Sequence, residues 1–470
     1  MAISSPGVGS GLDVNSIVSQ LVAIEKQPLQ PLQVKASTLQ TQLSLYGSIK
    51  SQVSALGDAA AALATTDGWA QYKATSSNTS AVTATASSSA APAIFGFEVT
   101  QLARAQTTAS RNIATGGTLG IAGETGDLTI ELGNWSTGSF VGAGGPVAVS
   151  INGDDSLTVI AGKINAANAG VAATVLRSGT QERLVFRSST TGEAAGFQIS
   201  SSGFAGLDSL SFTSLANPPG STAGMELGQS GLDATAKLNG VAIQSATNVL
   251  TDIVPGLTLK LNQVTTAPVD ITVEQDQEAL QKKVQALADA FTALNKTLTD
   301  STKYVPGGRS GALQGDSTTV GIQSVLNSVL NSGSLGSTFS RLSEVGLERQ
   351  ADGSLTLNTA KLTTAMKDMS NLQNLFTTNN GDATTNGFGL KFRDFAKGLI
   401  ASDGTVTNKS TAIQGSITRN TDEQTRVTDR AARVETQLRK QYSDLDARMV
   451  QMQSLGSFVT AQLAQWNKTS

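Results

Sequence analysis

The 470-residue sequence contains no cysteine and no histidine. Without cysteine there is no disulfide scaffold, no thiolate metal site and no cysteine nucleophile, and the zero count suits a chain that unfolds for export. Without histidine the chain lacks the commonest zinc ligand, the usual general base near neutral pH, and every Ser-His arrangement. We therefore expect no catalytic residue, no metal and no cofactor, and predict that the protein is not an enzyme.

Aromatic residues make up only 4% of the chain, and the formal net charge is −3. A chain without clustered basic residues has no field to hold nucleic acid or anionic lipid. No stretch approaches 18 consecutive apolar residues, so no membrane span is expected. No Lys or Arg precedes the first apolar stretch, and no cleavage site follows it, so we predict that this stretch is not a cleaved signal peptide.

Three short motifs suggest ligand sites but fit turn chemistry better. "GVGSG" at 7–11 follows no strand, and "GGRSGALQGDS" at 307–317 lacks the Gly-Lys-Ser/Thr of a phosphate loop. We expect the second motif to be a turn leading into a helix capped by Asp316. "GDD" at 153–155 could place carboxylates on a metal, but it follows a predicted turn.

Amphipathic helices are predicted near the start of the chain. Asp13 is a good helix N-cap before apolar residues at helical spacing, and Pro28 and Pro31 interrupt the run. A second apolar stripe runs from Leu39 to Leu63 with gaps of three and four residues. The first stripe consists of Val14, Ile17, Val18, Leu21 and Val22.

The middle of the chain favours β-structure. Alternating apolar residues lead into Asn152-Gly153 and again into Asn239-Gly240, and both pairs predict type I′ hairpin turns. Residues 115–146 are glycine-rich and are expected to be loops around short strands. Helical periodicity returns with an apolar face at Leu280, Val284, Leu287, Phe291, Leu294 and Leu298, and further helices are predicted at 316–332, 359–376, 386–401 and 408–466.

The last segment has the heptad pattern of a coiled coil. Two apolar stripes run along it, and a one-residue slip between Val434 and Tyr442 predicts local unwinding. Thirteen of the 30 residues from Arg419 to Arg448 are charged, whereas charges nearly vanish after Met449. The predicted coiled-coil core consists of Ile417, Val427, Val434, Leu438 and Leu445.

A helix this apolar needs a partner. Two alternatives are open: the tail packs on the N-terminal helix of the same chain, or both ends of the chain pack between subunits. The low positive charge of the last 20 residues argues against a membrane-surface helix.

The order helix, β-rich insert, helix predicts an α+β multidomain fold. Both ends of the chain form a discontinuous helical coiled-coil stalk, and β-rich domains are inserted in the middle. The predicted parts are terminal helical segments at 1–38 and 430–470, partly disordered when free; a helical stalk domain at 39–72 and 274–429; an inner β-rich domain at 73–106 and 222–273; and an outer β-rich domain at 107–221.

Six stretches resemble one known family in the same order along the chain. They are "GVGSGLDVNSIVSQLVAIEKQPLQPL", "TVIAGKINAANAGVAATVLRSGTQERLVFRSSTTGE", "KLNGVAIQSATNVLTDIVPGLTLKL", "VEQDQEALQKKVQALADAFTALNKTL", "SEVGLERQADGSLTLNTAKL" and "RKQYSDLDARMVQMQSLGSFVTAQL". The second is similar to a strand–helix–hairpin module of flagellin and hook-associated proteins. Together they resemble the bacterial flagellar filament cap family, also called hook-associated protein 2.

The resemblance implies a structural cap at the distal end of the flagellar filament, outside the cell, which promotes the folding and insertion of exported flagellin and prevents its leakage. The implied partners are further copies of the chain in a ring, commonly a pentamer, together with flagellin, the hook–filament junction proteins, a cytosolic export chaperone and the flagellar type III export apparatus. It also implies that the protein is secreted without a cleaved signal peptide and has an uncleaved, disordered N-terminus.

The resemblance also assigns roles to residues at both ends. Docking into the filament or hook end falls to Val14, Ile17, Val18, Leu21, Met452, Val459, Leu463 and Trp466. Before export, the chaperone covers an apolar face that includes Met449, Met452, Leu455, Phe458 and Leu463. Two other classes stay open: another flagellar axial protein, such as a hook–filament junction component, and a surface adhesin acting in cell adhesion.

Overall fold

The computed structural model describes residues 13–135, 138–218, 220–308 and 310–466. Two compact units divide the chain: one contains the residues up to Trp69 and from Gln277 onward, and the other spans Ala70–Asp276. The first unit is helical and the second is β-rich, so a β-rich insertion interrupts a helical unit. The predicted fold class is confirmed. The finer division into four parts stays a prediction, and residues 7–11 and the expected disordered N-terminus lie outside the described residues.

Ten α-helices are described across these ranges. In chain order they are α1 (Val14–Lys26), α2 (Leu29–Ala61), α3 (Thr66–Trp69), α4 (Leu157–Ala166), α5 (Gln277–Thr302), α6 (Ser317–Asn331), α7 (Thr359–Ala365), α8 (Met369–Thr377), α9 (Phe388–Ile400) and α10 (Thr405–Trp466). The predicted domain boundaries near residues 38 and 429 fall inside the continuous helices α2 and α10.

Local signals account for several helix ends. The Asp13 carboxylate accepts a hydrogen bond from the Ser16 N–H at 3.0 Å, and Asp316 caps α6 through the Thr319 N–H at 2.9 Å, as predicted. Helix α2 begins ten residues before the predicted stripe. Pro28 and Pro31 lie at its first turn, where a helix needs no backbone donor, so they start α2 rather than block it.

The helical unit has one large apolar core. The predicted faces of α2 and α5 are both buried in it, and the ring of Trp69 packs on that of Phe376 at 5.2 Å. A Cβ on Gly57 would lie 2.9 Å from the Cβ of Ala396, so the absence of a side chain lets α2 approach α9 closely. The predicted helix at 359–376 is instead broken, because Asp368 caps a new helix, α8, through the Asn371 N–H.

The β-rich unit contains strands in four sheets, and a two-stranded hairpin lies in the helical unit. In chain order the strands are β1 (Tyr72–Ser76), β2 (Val82–Ala86), β3 (Ala93–Gln101), β4 (Thr107–Ala109), β5 (Ile113–Ala114), β6 (Thr125–Asn134), β7 (Val141–Gly142), β8 (Val147–Asn152), β9 (Val171–Ser178), β10 (Gln181–Ser188), β11 (Gly196–Ser202), β12 (Glu226–Gln229), β13 (Ala234–Leu238), β14 (Val241–Ser245), β15 (Val249–Thr251), β16 (Leu257–Leu261), β17 (Val269–Gln275), β18 (Leu347–Arg349) and β19 (Leu355–Leu357).

The four sheets enclose two apolar cores. The inner core lies between the sheet β1-β17-β3-β13-β14 and the sheet β15-β16-β2. The outer core lies among α4, the sheet β12-β4-β10-β5 with β9, and the sheet β11-β6-β7 with β8. Strand β12 pairs with β4, and Met225 is fully buried in the outer core, so the return to the inner core comes after Gln229 rather than at the predicted boundary of 221.

Of the two predicted Asn-Gly hairpins, only one forms. Asn239 and Gly240 have φ values of 49° and 83° and join β13 to β14. The hairpin predicted at Asn152-Gly153 is wrong. There the Asp155 carboxylate accepts a hydrogen bond from the Asn152 N–H at 2.8 Å and Ser156 caps α4, so the chain turns into a helix.

The expectation of short strands and loops at 115–146 is also wrong in part. Strand β6 is ten residues long and pairs with β11 on one side and with β7 and β8 on the other. Leu128 and Ile130 alternate along it and are buried in the outer core. The flanking glycines favour a loop prediction, whereas the stability of this strand comes from pairing with residues that are distant in sequence.

Candidate assembly surface

The first and last helices of the chain pack together. Three valines of α1 at four-residue spacing, Val14, Val18 and Val22, are buried against Ala431 of α10. Leu438 and Tyr442 are partly buried at the same seam. Of the two alternatives for the ends of the chain, packing within one chain therefore holds for the Ala431–Tyr442 stretch of α10.

Polar contacts show that the two helices run antiparallel. The Arg439 guanidinium donates to the Asn15 side-chain oxygen at 3.1 Å, and the Arg430 guanidinium lies 3.0 Å from the Glu25 carboxylate. The start of α1 therefore contacts a later part of α10, and the end of α1 contacts an earlier part. The ion pair is largely exposed and adds no more than about 1 kcal/mol, so the buried valines supply most of the stabilisation.

The predicted coiled-coil core residues come from the two apolar stripes of α10 and are buried to different depths. Ile417 packs on the core of the helical unit, and Val427, Val434 and Leu438 are half-buried. Leu445 is 45% exposed, whereas Tyr442 and Met449 are half-buried. Beyond Leu438 the less exposed residues are therefore Tyr442 and Met449 rather than Leu445. This change lies where the one-residue slip was predicted. A core role for Leu445 stays a prediction for an assembly of several chains.

A polar residue, Asn420, interrupts the apolar stripe that contains Val427 and Val434. Asn420 is buried, its side-chain oxygen accepts a hydrogen bond from Gln424 at 2.7 Å, and its amide nitrogen has no acceptor in the described structure. A buried Asn on a coiled-coil seam costs stability but disfavours other registers. We therefore expect Asn420 to favour a single register of α10 against the helices that pack on it.

Beyond Tyr442, α10 continues with an uncovered apolar surface. We call this surface the tail face. Residues 449–466 carry no charge, and a 62-residue helix is about 93 Å long. Met449 is half-buried; the strongly exposed members of the tail face are Val450, Met452, Leu455, Phe458, Val459 and Leu463, with exposed fractions of 49–71%. Trp466 ends the helix, and its side chain lies outside the described part.

The structure separates the predicted docking residues into two groups. Val14 and Val18 are 1% exposed and are already used within the chain. Ile17 is half-buried and Leu21 is 38% exposed, on the flank of the same helix. The C-terminal members Met452, Val459 and Leu463 are exposed on the tail face. The single chain therefore does not bring the N-terminal and C-terminal members together.

The sequence pattern does not indicate a polar cluster that joins α10 to α2 and to the start of α6. The Asp316 carboxylate accepts hydrogen bonds from the Tyr46 hydroxyl at 2.7 Å and the Thr319 N–H, and pairs with the Lys409 ammonium of α10 at 2.6 Å. Burial by itself raises the pKa of Asp316, but Lys409, Tyr46 and Thr319 lower that pKa from 3.8 to about 2. Only the capping role of Asp316 had a local signal.

The described ranges contain neither a membrane-spanning helix nor a cluster of metal-ligating side chains. No helix there is long and apolar enough to cross a membrane. In the same ranges no three acidic side chains are grouped as they would be around a metal ion. The Asp155 of "GDD" instead accepts from the Asn152 N–H and pairs with Lys163.

The amino-acid sequence is similar to known proteins at both ends of the chain and in its middle. Residues 10–106 match the family description "Flagellar hook-associated protein 2 N-terminus", and residues 231–454 match "Flagellar hook-associated protein 2 C-terminus". The Flagellar hook-associated protein 2 of Escherichia coli K12 is 31% identical over 98% of both chains. The chain belongs to the flagellar hook-associated protein 2 family.

Other relatives support the same family. The hook-associated protein 2 of Salmonella typhimurium is 27% identical over the full length of both chains. The crystal structure titled "flagellar cap protein FliD D1-D2-D3 domains from Escherichia coli" is 30% identical, has a TM-score of 0.63, and covers 79% of this chain and 99% of that one. Residues 127–190 match the "Flagellin hook IN motif", which overlaps the strand–helix–hairpin module found in the sequence.

Proposed function

We propose that this hook-associated protein 2 chain is a structural cap at the distal end of the bacterial flagellar filament. There it promotes the folding and insertion of exported flagellin and prevents flagellin from leaking away. Family membership supports the assignment to the flagellum, and the tail face is the observation that carries a docking role. The comparisons do not favour a hook–filament junction component or an adhesin.

The docking residues at the two ends of the chain have two different proposed roles, because some are buried within the chain and others are exposed. Val14 and Val18 fix α1 on α10, so they act indirectly, by positioning. Ile17 and Leu21 on α1, with Met452, Val459, Leu463 and Trp466 on α10, contact the filament or hook end. A contiguous apolar, uncharged surface of this kind is typical of an interaction site. A core role for Leu445, on the same helix, requires neighbouring chains.

The cap is a ring of copies of this chain, and the family suggests a pentamer. A ring needs a heterologous interface, in which a different surface of each copy meets the next. Flagellin and the hook–filament junction proteins are the other axial partners. The β-rich unit, with its inner and outer domains, is an insertion in the sequence of the helical unit.

Before export, a cytosolic chaperone covers the tail face. Met449, Met452, Leu455, Phe458 and Leu463 lie on the uncharged segment 449–466 of α10, which suits a helix-in-groove mode of binding. The chain then passes through the flagellar type III export apparatus and keeps its N-terminus. Its final location is the filament tip, outside the cell.

Truncation tests the capping role. Deleting residues 449–470 removes the tail face and leaves the buried seam of α1 and α10 intact. We expect cells with this variant to release unpolymerised flagellin into the medium and to lack filaments.

Two double variants test whether docking depends on the apolar character of the tail face rather than on the presence of the segment. Phe458→Asp with Leu463→Asp adds two charges to the tail face, and Gln453→Asp with Thr460→Asp adds two charges to exposed polar positions on another side of the same segment. The first pair is expected to abolish capping and the second to preserve it. Full-length filaments in the truncation, or equal capping by both double variants, would refute a docking role for the tail face.

A further inference from the structure

The inner and outer cores of the β-rich unit are joined by two chain crossings that form one antiparallel ribbon. Strands β3 and β13 pair in the inner sheet, and β4 and β12 pair in the outer sheet. Between these pairs, Arg104 and Leu232 exchange both backbone hydrogen bonds, at 2.8 and 3.0 Å. The ladder therefore continues from one core to the other, with register shifts on either side.

Side-chain amides hold this ribbon from its flanks. Asn248 of the inner sheet region accepts from the Ala103 N–H at 2.7 Å and donates to the Ala103 carbonyl at 2.9 Å. The Gln229 amide donates to the Ala105 carbonyl at 2.8 Å. Backbone groups that a ribbon exposes at its edges thus find partners here.

A single carboxylate connects the two cores directly. One oxygen of Asp233 accepts from the Glu193 N–H of the outer core region at 2.7 Å, and the other accepts from the Gln244 amide of β14 in the inner sheet at 3.0 Å. The Gln101 amide donates to the backbone carbonyl of Asp233 at 2.8 Å. The two donors are thus bound by different oxygens of the same carboxylate.

The turn that carries Glu193 is fitted closely against the inner core. Gly192 has a φ of 111°, and a Cβ there would lie 2.9 Å from the Cβ of Ala246 and 3.0 Å from an Asp233 oxygen. A Cβ on Gly231 would lie 2.7 Å from the Gly192 carbonyl oxygen. The Thr191 hydroxyl also donates to the Ala246 carbonyl at 2.7 Å. Both glycines are needed for this approach.

We propose that Asp233 and the turn at 191–193 lock the outer core to the inner core, so that the β-rich unit moves as one rigid body. Two-stranded connections with polar contacts normally allow neighbouring domains to move relative to each other. Here a shared carboxylate, two close-packed glycines and the amide clamps remove that freedom. Asp233 and Gly192 are positioning residues.

Distance measurement between spin labels on the full-length chain tests the lock. The chain has no cysteine, so Thr174→Cys on β9 and Lys260→Cys on β16 introduce two unique, exposed label sites, one beside each core. Asp233→Ala, alone and with Gly192→Ala, is compared with the unaltered chain. Asn165→Ala is the control, because the Asn165 side chain also makes two hydrogen bonds, to the N–H and the carbonyl of Ala173, but both lie inside the outer core.

We expect a narrow distance distribution in the unaltered chain and in Asn165→Ala, at least a twofold broader one in Asp233→Ala, and a still broader one in the double variant. A second label pair within the outer core, Thr174→Cys with Ser200→Cys, verifies that the core itself stays folded. An unchanged width in Asp233→Ala, a broad distribution in the unaltered chain, or equal broadening by Asn165→Ala would each overturn the proposal.

Discussion

The Asp316 cluster gives α10 a charge-dependent anchor, which a single substitution can isolate. Asp316→Asn keeps the helix cap, because Asn caps helices as well as Asp does. It removes the negative charge that pairs with Lys409 and accepts from Tyr46. Burial together with Asp316 also raises the pKa of Tyr46, so the tyrosine stays protonated and remains a donor.

The size of the effect follows from the pKa of Asp316. Lowering that pKa from 3.8 to about 2 stabilises the folded state by about 2 kcal/mol, at 1.36 kcal/mol per unit. Because the folded pKa is depressed, this stabilisation is fully present above pH 4 and is lost as the pH falls toward 2. Asp316 is only 13% exposed, so solvent screens its interactions weakly.

Amide hydrogen exchange in α6 measures this local stability in the full chain. At pH 6 we expect α6 amides to exchange about 30-fold faster in Asp316→Asn than in the unaltered chain. Near pH 2 the difference is expected to shrink to about twofold, because the unaltered carboxyl is then half protonated. Amides of α4, in the β-rich unit, serve as the internal reference.

A second capping residue provides the matched control. Asp368 caps α8 through Asn371, and the described structure gives it no lysine or tyrosine partner. Asp368→Asn is therefore expected to change exchange in α8 by less than threefold at either pH. A 30-fold effect of Asp316→Asn that persists at pH 2, or no effect at pH 6, would show that the charge of Asp316 does not stabilise this part of the helical unit.

Three further predictions concern the ends of the chain. Val18→Asp buries an unpaired charge at the seam of α1 and α10, so α1 amides should lose their exchange protection, whereas Ser19→Asp at the neighbouring exposed position should not; equal protection in both would contradict the seam. Full-length Phe458→Asp with Leu463→Asp should bind the export chaperone at least 100-fold more weakly in calorimetry than Gln453→Asp with Thr460→Asp, and equal affinities would assign the tail face to assembly alone. Ring interfaces that rearrange during filament growth should be modest and partly polar, so the sedimentation of the purified protein should shift between monomer and ring with concentration and salt; one unchanging species would argue against this.

Elements stabilised by their own periodicity could be predicted from the sequence. The apolar faces of α2 and α5, the heptads of α10 and the hairpin at Asn239-Gly240 all depend on residues within a few turns of one another. The family resemblance rested on such segments as well. Helical and hairpin signals are local, so they persist whatever the rest of the chain does.

Elements that depend on distant partners could not be predicted in the same way. Strand β6 is central only because β8 and β11 pair with it, and Asn152-Gly153 leads into a helix because Asp155 and Ser156 follow. Similarly, the stripe on α1 does not reveal that Val14 and Val18 face α10 while Leu21 remains exposed. The sequence by itself determined the helical ends, the β-rich insertion and the apolar tail. Tertiary structure decided which apolar residues are covered, and it alone created the Asp316 cluster and the Asp233 joint, because these join side chains that lie far apart in sequence.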